Sequence, residues 1–276
     1  MSTEPQAPGA MIGPALQEAA SFAERTLAAL LPQPAGPQGA LIEAMRTAVL
    51  TQDRGLRAFF VLQSGRLFGV DRQPLGRVCA AVECVAAAGR LATSPIAPLT
   101  FFAGAGLMAE AFALLGSPEA MADPFLRAEA MARLAQCAGH GGLLGGESAE
   151  LLAGTLDDAR SLPQISRRQR MRMAALIGFC CEAGPLLAKA SPSARHALSA
   201  YGQDVGVALA MATDLADPAS PAGQCVVAAL GLARAEAHGA ALAEQAVHHL
   251  DLFDEKADLL RAAARFAVTA RDLRRW

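Results

Sequence analysis

The sequence predicts an all-α protein, and three observations support this class. Ala, Leu and Val supply most of the apolar residues, and Ala and Leu are strong helix formers. Aromatic residues make up 5% of the chain, and it has no long β-branched or aromatic run of the kind that favours strands. Apolar residues also recur at helical spacing throughout. Because 53% of the 276 residues are hydrophobic and 18% are charged, we expect a large buried core.

Chemically marked breaks separate the predicted helices. Ser191-Pro192 and Ser220-Pro221 each place a capping residue before a proline suited to the first helical turn. Gly139 to Gly146 includes five glycines without a preceding strand, so it predicts a kink or a close helix contact, not a phosphate-binding loop. The total is about ten helices. Clear helical periods cover residues 54–70, 75–91, 99–115, 124–138, 168–188, 193–216, 221–237 and 254–271.

These helices are expected to form one domain, because the sequence has neither a repeat nor an interdomain linker. Residues 1–13 are rich in Pro and Gly and predict a short disordered tail, which leaves residues 14–276 for the helical domain. The segments Met173–Cys181 and Val205–Met211 are apolar on most of their circumference, which is typical of helices inside a bundle.

Charge and cysteine usage exclude several classes of protein. The net charge of −2 gives no support to nucleic-acid binding, and six Cys without a CxxC pair predict neither a zinc site nor disulfides. Nineteen uncharged residues, 91–109, approach the length of a membrane span, but Pro95, Pro98 and nearby Gly favour a buried loop and helix. With no signal-like segment at the N-terminus, we expect a cytoplasmic protein without a membrane span.

Five ordered segments resemble those of short-chain trans-isoprenyl diphosphate synthases, the farnesyl and geranylgeranyl diphosphate synthase group. The framework segments are Leu67-Phe68-Gly69-Val70 and Ala80-Ala81-Val82-Glu83-Cys84-Val85, and Phe102-Ala103-Gly104 follows the uncharged stretch. The resemblance covers residues 15–272. It implies the isoprenoid-synthase fold, a single bundle of helices around a central cavity.

The two aspartate motifs of that family are only partly present. In the family both motifs hold magnesium ions, which stabilise the departing diphosphate as Lewis acids. Thr93 and Ser94 stand where the first motif has its Asp pair, so the resemblance implies a degenerate member that lacks this motif. The second motif keeps Asp214 and Asp217, whose spacing can place both on one helix face. They are either a remnant metal site or an ordinary helix end.

Other family positions keep charge without keeping residue type. Arg54 and Arg57 stand in the segment that supplies diphosphate-binding cations, and Arg172 replaces the Lys of a Lys-Thr-Gly segment. Glu147 and Glu150 fall in the Gly-Gly-Gln-x-x-Asp-Leu segment. The resemblance implies a remnant diphosphate and polar site at these five residues. Arg172 also belongs to a run of arginines that is compatible with a solvated helix start.

Small residues replace the bulky ones that floor the family's hydrocarbon cavity. Ala87 and Ala88 lie at that floor, and Phe101 and Phe102 follow it. We therefore predict that these four residues line a space able to hold a long apolar chain.

The missing carboxylates favour a catalytically inactive homologue. It would act as a partner subunit, in a homodimer or in a heterodimer with an active prenyl synthase, or as a protein that binds an isoprenoid. Two alternatives remain: an active prenyltransferase with an atypical site that joins isopentenyl and allylic diphosphates, and a helical scaffold unrelated to prenyl metabolism. No cofactor is expected, and magnesium is required only if activity is retained.

Overall fold

The computed structural model of the protein describes residues 8–51, 55–94, 97–152, 161–217 and 221–268. These residues form helices joined by short connections, without a β-strand among them, so the predicted all-α class is confirmed. The α-helices in the described ranges are α1 (Pro8–Leu30), α2 (Gly39–Leu50), α3 (Gly55–Leu67), α4 (Arg72–Ala92), α5 (Pro98–Gly116), α6 (Pro124–Ala138), α7 (Leu143–Leu152), α8 (Leu162–Gln169), α9 (Ala175–Leu187), α10 (Pro192–Ala216), α11 (Pro221–Leu230), α12 (Leu232–His248) and α13 (Asp258–Ala267). A π-helical turn, Arg170–Ala174, joins α8 to α9, and a short 3-10 helix, Glu255–Ala257, precedes α13.

Helices α3, α4, α9 and α10 form the centre of the bundle. Every residue is buried from 58 to 65 in α3, from 78 to 89 in α4, from 176 to 186 in α9 and from 205 to 212 in α10. Helices buried around their whole circumference must be surrounded by others. Accordingly α5 packs against α4, α1 against α3, and α12 against α10. The prediction that 205–211 lies inside the bundle is confirmed.

Glycines allow the central helices to approach at their backbones. A Cβ atom on Gly184 of α9 would lie 2.2 Å from the backbone C and O atoms of Ser64 in α3. A Cβ atom on Gly206 of α10 would lie 2.4 Å from the Cα of Ala174 in the π turn. No larger residue fits at such distances. The Ser64 hydroxyl also accepts a 3.2 Å hydrogen bond from the Gly184 N–H, which fixes the register of α3 on α9.

Two predicted boundaries are wrong. Helix α1 begins at Pro8, so residues 8–13 are helical and do not belong to a disordered tail. Ile12 is buried in the core, which supplies the apolar contact that extends the helix toward the N-terminus. The predicted helix 221–237 is broken at Gly231, whose φ of 72° is a left-handed conformation that ends α11 before α12 begins.

Helix α5 is apolar on its outer face as well as on its inner face. Leu99, Phe101 and Phe102 are 44, 67 and 57% exposed, and Glu110 is the one charged residue of the helix. Within the described part of the chain, α5 alone is long and apolar enough to cross a membrane by length and composition, and 28% of this stretch is buried. The inner face contributes Ala103, Leu107, Ala111, Leu114 and Leu115 to the core.

Candidate functional site

Charged residues from separate helices meet where α7 packs against the π turn. Glu150 accepts a 2.9 Å bond from Nε of Arg168 and lies 3.8 Å from Nη1 of Arg172. Glu147 accepts a 3.3 Å bond from Nε of the same Arg172. Three sequence-predicted residues, Glu147, Glu150 and Arg172, are therefore brought together. With Arg168, Gln169 and Asp214 they form what we call the polar cluster.

A glycine contact and a helix irregularity position the polar cluster. A Cβ atom on Gly146 of α7 would lie 2.8 Å from the backbone N of Arg172, so the two backbones touch. This is the close helix contact that the glycine-rich segment 139–146 predicts. The π turn widens the helix between α8 and α9, an arrangement often found at functional sites.

Asp214 is the most buried acidic group of the polar cluster. It is 9% exposed, and its Oδ2 accepts a 2.8 Å hydrogen bond from Nε2 of Gln169. Burial raises the pKa of Asp214, and Glu150 adds to this, while the Gln169 bond and the charges of Arg172 and Arg168 oppose it. The other polar side-chain atom of Gln169, Oε1, is buried without a hydrogen-bond partner in the described structure.

Asp217 does not share the position of Asp214. Helix α10 ends at Ala216, and Asp217 follows it with φ −128° and ψ 78°, outside the helical region. Asp217 is exposed, whereas Asp214 is buried. The expectation that helical spacing places both carboxylates on one face is therefore wrong, because the helix stops before the second one.

Thr93 and Ser94, the two hydroxyl residues predicted to replace the first aspartate motif, complete a helix end. The hydroxyl of Thr93 donates a 3.0 Å hydrogen bond to the carbonyl oxygen of Arg90, and that of Ser94 donates a 2.9 Å bond to the same oxygen. Both side chains thus satisfy a backbone acceptor at the C-terminus of α4. Their hydrogens are engaged in capping the helix.

The predicted diphosphate-binding arginines are divided between separate ion pairs. Arg57 donates to Oε2 of Glu83 from Nη2 at 2.6 Å and from Nε at 3.1 Å. The side chain of Glu83 is 1% exposed and that of Arg57 is 18% exposed, so this pair is largely removed from water. Arg172 instead contacts the glutamates of the polar cluster. Arg54 lies outside the described residues.

The predicted cavity lining is partly filled and partly external. Ala87 and Ala88 are buried, and at the next residue, Gly89, a Cβ atom would lie 2.6 Å from the side chain of Leu143 in α7. Phe101 and Phe102 lie on the outer surface of α5 in edge-to-face contact, with ring centroids 5.6 Å apart. The prediction that these two rings line an internal cavity is wrong, because their face of α5 points away from the core.

The acidic residues of the polar cluster do not fit a magnesium cluster. Magnesium prefers near-octahedral oxygen ligation by ionised carboxylates and water. Within the described ranges, no three His, Cys, Asp or Glu side chains come close enough to hold a metal ion together. Glu147 and Glu150 are paired with arginines, and Asp214, which is buried, accepts a hydrogen bond from Gln169 and has a raised pKa.

Two polar residues of this region carry no family motif. Gln169 binds Asp214, and Arg90 has an Nη2 atom that is buried without a partner in the described structure. Pairing across helices cannot be read from a single sequence, so Gln169 gave no signal. Arg90 was detectable, since it follows six uncharged residues after Glu83 in a predicted helix.

Solved structures that match this fold are prenyl synthases. An apo FPP/GFPP synthase from Zymomonas mobilis is 31% identical, with a TM-score of 0.86 over 94% of this chain and 99% of that chain. A geranyltransferase from Legionella pneumophila is 20% identical, with a TM-score of 0.82 over 96% of this chain and 99% of that chain. A mint deletion mutant of a heterotetrameric geranyl pyrophosphate synthase in complex with ligands is 19% identical, with a TM-score of 0.74 over 94% of this chain and 100% of that chain.

The arrangement of helices defines an isoprenoid-synthase fold. Comparisons with family models and with curated protein sequences give no match. The identity to the Zymomonas synthase nevertheless extends over almost the whole of both chains. The chain belongs to the trans-isoprenyl diphosphate synthase family. Family membership gives no support to the alternative of a helical scaffold unrelated to prenyl metabolism.

Proposed function

We propose that this chain is a catalytically inactive family member that serves as a subunit beside an active prenyl synthase. The observation that carries the proposal is the outer face of α5, an exposed apolar helix surface. Soluble proteins rarely expose large apolar patches unless another surface covers them. The composition of the polar cluster supplies the second part of the proposal, the loss of activity.

The electrostatics of the polar cluster support inactivity. Departure of diphosphate requires positive charge aimed at several oxygens, and here Arg168 and Arg172 are neutralised by Glu150 and Glu147. Removing one preorganised electrostatic donor from an active site costs about 3–4 kcal/mol of transition-state stabilisation. The loss of a whole set of metal ligands costs more. In the proposed role the chain requires no magnesium ion.

The geometry of α5 supports a protein partner. The helix is held in the bundle by a stripe of buried residues, including Leu107 and Leu115, so it cannot leave to cross a bilayer without opening the core. Phe101 and Phe102 stand next to each other and are more than half exposed. Buried aromatic residues contribute strongly to protein interfaces, which gives this face the character of a binding surface.

The packing of Leu143 and one structural neighbour favour a subunit over a carrier of a prenyl lipid. Leu143 occupies space beside Gly89, which directly follows Ala87 and Ala88, the residues expected at an open cavity floor. One neighbour in structure is itself part of a heterotetrameric geranyl pyrophosphate synthase, an assembly of unlike chains. By analogy, we infer that the outer face of α5 docks on a second prenyl synthase chain.

The activity part of the proposal is tested with purified protein. Isopentenyl diphosphate, allylic diphosphates of several lengths and magnesium are supplied, and pyrophosphate release is measured. We expect the native protein to match an Asp214→Ala variant, with neither above the background rate. Turnover that depends on Asp214 would instead establish the alternative of an active prenyltransferase.

The subunit part is tested by co-expression with each synthase of the same cell. Light scattering during size-exclusion chromatography should show a complex with one synthase, and Phe102→Glu should abolish it. Phe125→Glu is the matched control, since Phe125 is 84% exposed on a different helix, α6. If the chain forms only a homodimer that Phe102→Glu dissociates, the surface is an interface but the heteromeric role is wrong.

A further inference from the structure

A groove between α1 and the first turns of α4 is lined by three arginines. Its volume is about 450 Å³, and none of the described residues that line it is acidic. Arg25 lies on the α1 side, and Arg72 and Arg77 lie on the α4 side. The lining also includes apolar side chains of α1, among them Phe22 and Leu30. We call this space the arginine groove.

Close contact of the two helices shapes the arginine groove. A Cβ atom on Gly76 of α4 would lie 3.2 Å from Cγ2 of Thr26 and 3.3 Å from Cζ of Phe22, and all three residues line the groove. Phe22 also holds Arg72, whose guanidinium carbon lies 4.9 Å from the centre of the ring. A guanidinium group that stacks on an aromatic ring is oriented before a ligand arrives, which lowers the entropic cost of binding.

Two of the three arginines lack a hydrogen-bonded acid. Arg25 is exposed and has no ion pair or hydrogen bond within the part of the chain that the structure describes. The nearest approach of Arg77 to an acid is 3.7 Å, from Nη2 to Oε2 of Glu119, which is beyond hydrogen-bond range. The side chain of Arg77 is nevertheless only 19% exposed. Both guanidinium groups therefore retain hydrogen-bond donors for an anion in the groove.

The third arginine shares its acid with a neighbour. Arg72 donates a 2.9 Å hydrogen bond to Oε1 of Glu18, and Arg66 donates a 2.7 Å bond to the same oxygen. One carboxylate thus serves two guanidinium groups. Asp71, which precedes Arg72, lines a different groove. The charge of Arg72 is therefore only partly balanced.

The arginine groove is remote from the site that the family resemblance predicts. Seventeen residues separate Gly76 from Thr93 at the other end of α4, which is about 25 Å along the helix axis. No residue of the polar cluster or of α5 lines the groove. A ligand bound there depends neither on the prenyl site nor on the proposed subunit role.

We propose that the arginine groove binds a phosphate group. Guanidinium groups match the oxygens of carboxylates and phosphates, and both anions accept paired hydrogen bonds from them. A carboxylate has two oxygens in one plane and a single charge. A phosphate group presents several oxygens in a tetrahedral arrangement and up to two negative charges, which matches three arginines that approach from two helices.

The phosphate group has two possible sources, a free ion and a lipid headgroup whose chain contacts Phe22 and Leu30. Full-length protein is titrated by calorimetry in phosphate-free buffer at constant ionic strength. The probes are inorganic phosphate, monomeric dihexanoyl phosphatidic acid, dihexanoylglycerol and acetate. Binding of inorganic phosphate at least as tightly as phosphatidic acid identifies the free ion, and tighter binding of phosphatidic acid identifies the headgroup. If acetate or dihexanoylglycerol binds as tightly as the phosphate probes, or neither phosphate probe binds, the proposal is overturned.

Single substitutions test the assigned arginines. A hydrogen bond to a charged group corresponds to about a ten- to hundredfold change in affinity, so Arg25→Gln and Arg77→Gln should each weaken phosphate binding by that factor. Arg234→Gln is the matched control, because Arg234 is exposed on α12 and does not line the groove, and it should bind as the native protein does. Unchanged affinity in both groove variants, or an equal loss in Arg234→Gln, would place the anion elsewhere.

Melting temperatures in the same samples separate binding from folding. Because Arg25 is exposed and has no ion pair within the described residues, Arg25→Gln should melt with the native protein when no anion is present. Adding the phosphate probe should then raise the melting temperature of native protein and of Arg234→Gln, and raise that of Arg25→Gln less. If Arg77→Gln does not fold, the comparison of Arg25→Gln with Arg234→Gln decides the matter. An equal rise in these two variants rejects the site.

Discussion

Replacing Glu83 with Gln tests how far the buried ion pair of Glu83 with Arg57 stabilises the protein. The substitution keeps the shape of the side chain and removes the charge that pairs with Arg57. The side chain of Glu83 is 1% exposed and accepts two hydrogen bonds from Arg57 on one oxygen. The variant therefore removes the carboxylate charge of Glu83 from the guanidinium group of Arg57, whose side chain is 18% exposed.

The expected loss follows from the burial of the pair. Removing one partner of a buried ion pair costs about 3–5 kcal/mol, because the remaining charge stays buried. The amide introduced by Glu83→Gln can still accept one hydrogen bond from Arg57, so we expect a loss at the lower end, about 3 kcal/mol. A domain is stable by about 5–15 kcal/mol in total, so this loss should be readily measured.

Urea denaturation and thermal denaturation, both followed by circular dichroism, measure the effect. At about 2 °C for each kcal/mol in a domain of this size, the melting temperature should fall by about 6 °C. Glu18→Gln is the control: the side chain of Glu18 is 41% exposed between Arg66 and Arg72, and its replacement should cost less than about 1 kcal/mol. Adding Arg90→Met to Glu83→Gln should restore part of the loss.

Equal and small losses in Glu83→Gln and Glu18→Gln would refute this reasoning. They would show that water reaches the pair of Glu83 and Arg57 and screens it as it screens a surface pair. A failure of Arg90→Met to restore any stability would separately show that Arg57 alone accounts for the loss.

Two further perturbations follow from the packing and the polar cluster. Gly184→Ala should destabilise the protein by about 3 kcal/mol or more in urea denaturation, because its Cβ would meet the backbone of Ser64 at 2.2 Å. Gly13→Ala is the control and should not destabilise it, because the space around Gly13 is open. Equal free energies of unfolding for the two variants would contradict the close packing of Gly184. Asp214→Asn should raise the free energy of unfolding at pH 7. Because burial raises the pKa of Asp214, the folded state favours the protonated carboxyl group. The stability that this contributes is complete below the ordinary pKa of 3.8 and is lost as pH rises through the raised pKa. The difference between Asn and Asp should therefore vanish as pH approaches 3.8, and a constant difference would be contrary to this.

Helices with continuous apolar periods were predictable almost to the residue. The predicted 75–91 corresponds to α4 at Arg72–Ala92, and 193–216 corresponds to α10 at Pro192–Ala216. Sequence periodicity was insufficient at Gly231, because a positive φ at one residue changes the direction of the chain without changing the apolar pattern on either side. The extension of α1 toward the N-terminus depends on the burial of Ile12 in the core. The composition of residues 1–13 alone does not predict this tertiary contact.

The candidate site was predictable as a set of positions but not as a set of contacts. Family resemblance identified Glu147, Glu150, Arg172 and Asp214, and the first three join the same ion-pair network. That the glutamates neutralise the arginines depends on how α7 packs on the π turn, which the sequence does not specify. Glu83 looked like framework, because a buried charge has no motif of its own.

The glycine contacts of α9 also determine where this protein can open. The Cα atom of Gly178 would lie 2.8 Å from a Cβ atom on Gly202 of α10, so the two helices touch without intervening side chains, and Gly184 repeats the arrangement against α3. Such a unit separates only when the whole core is lost. Amide hydrogens in the middle of α9 and α10 should therefore exchange with solvent only through global unfolding, whereas amides of α7, at the border of the bundle, exchange through local opening.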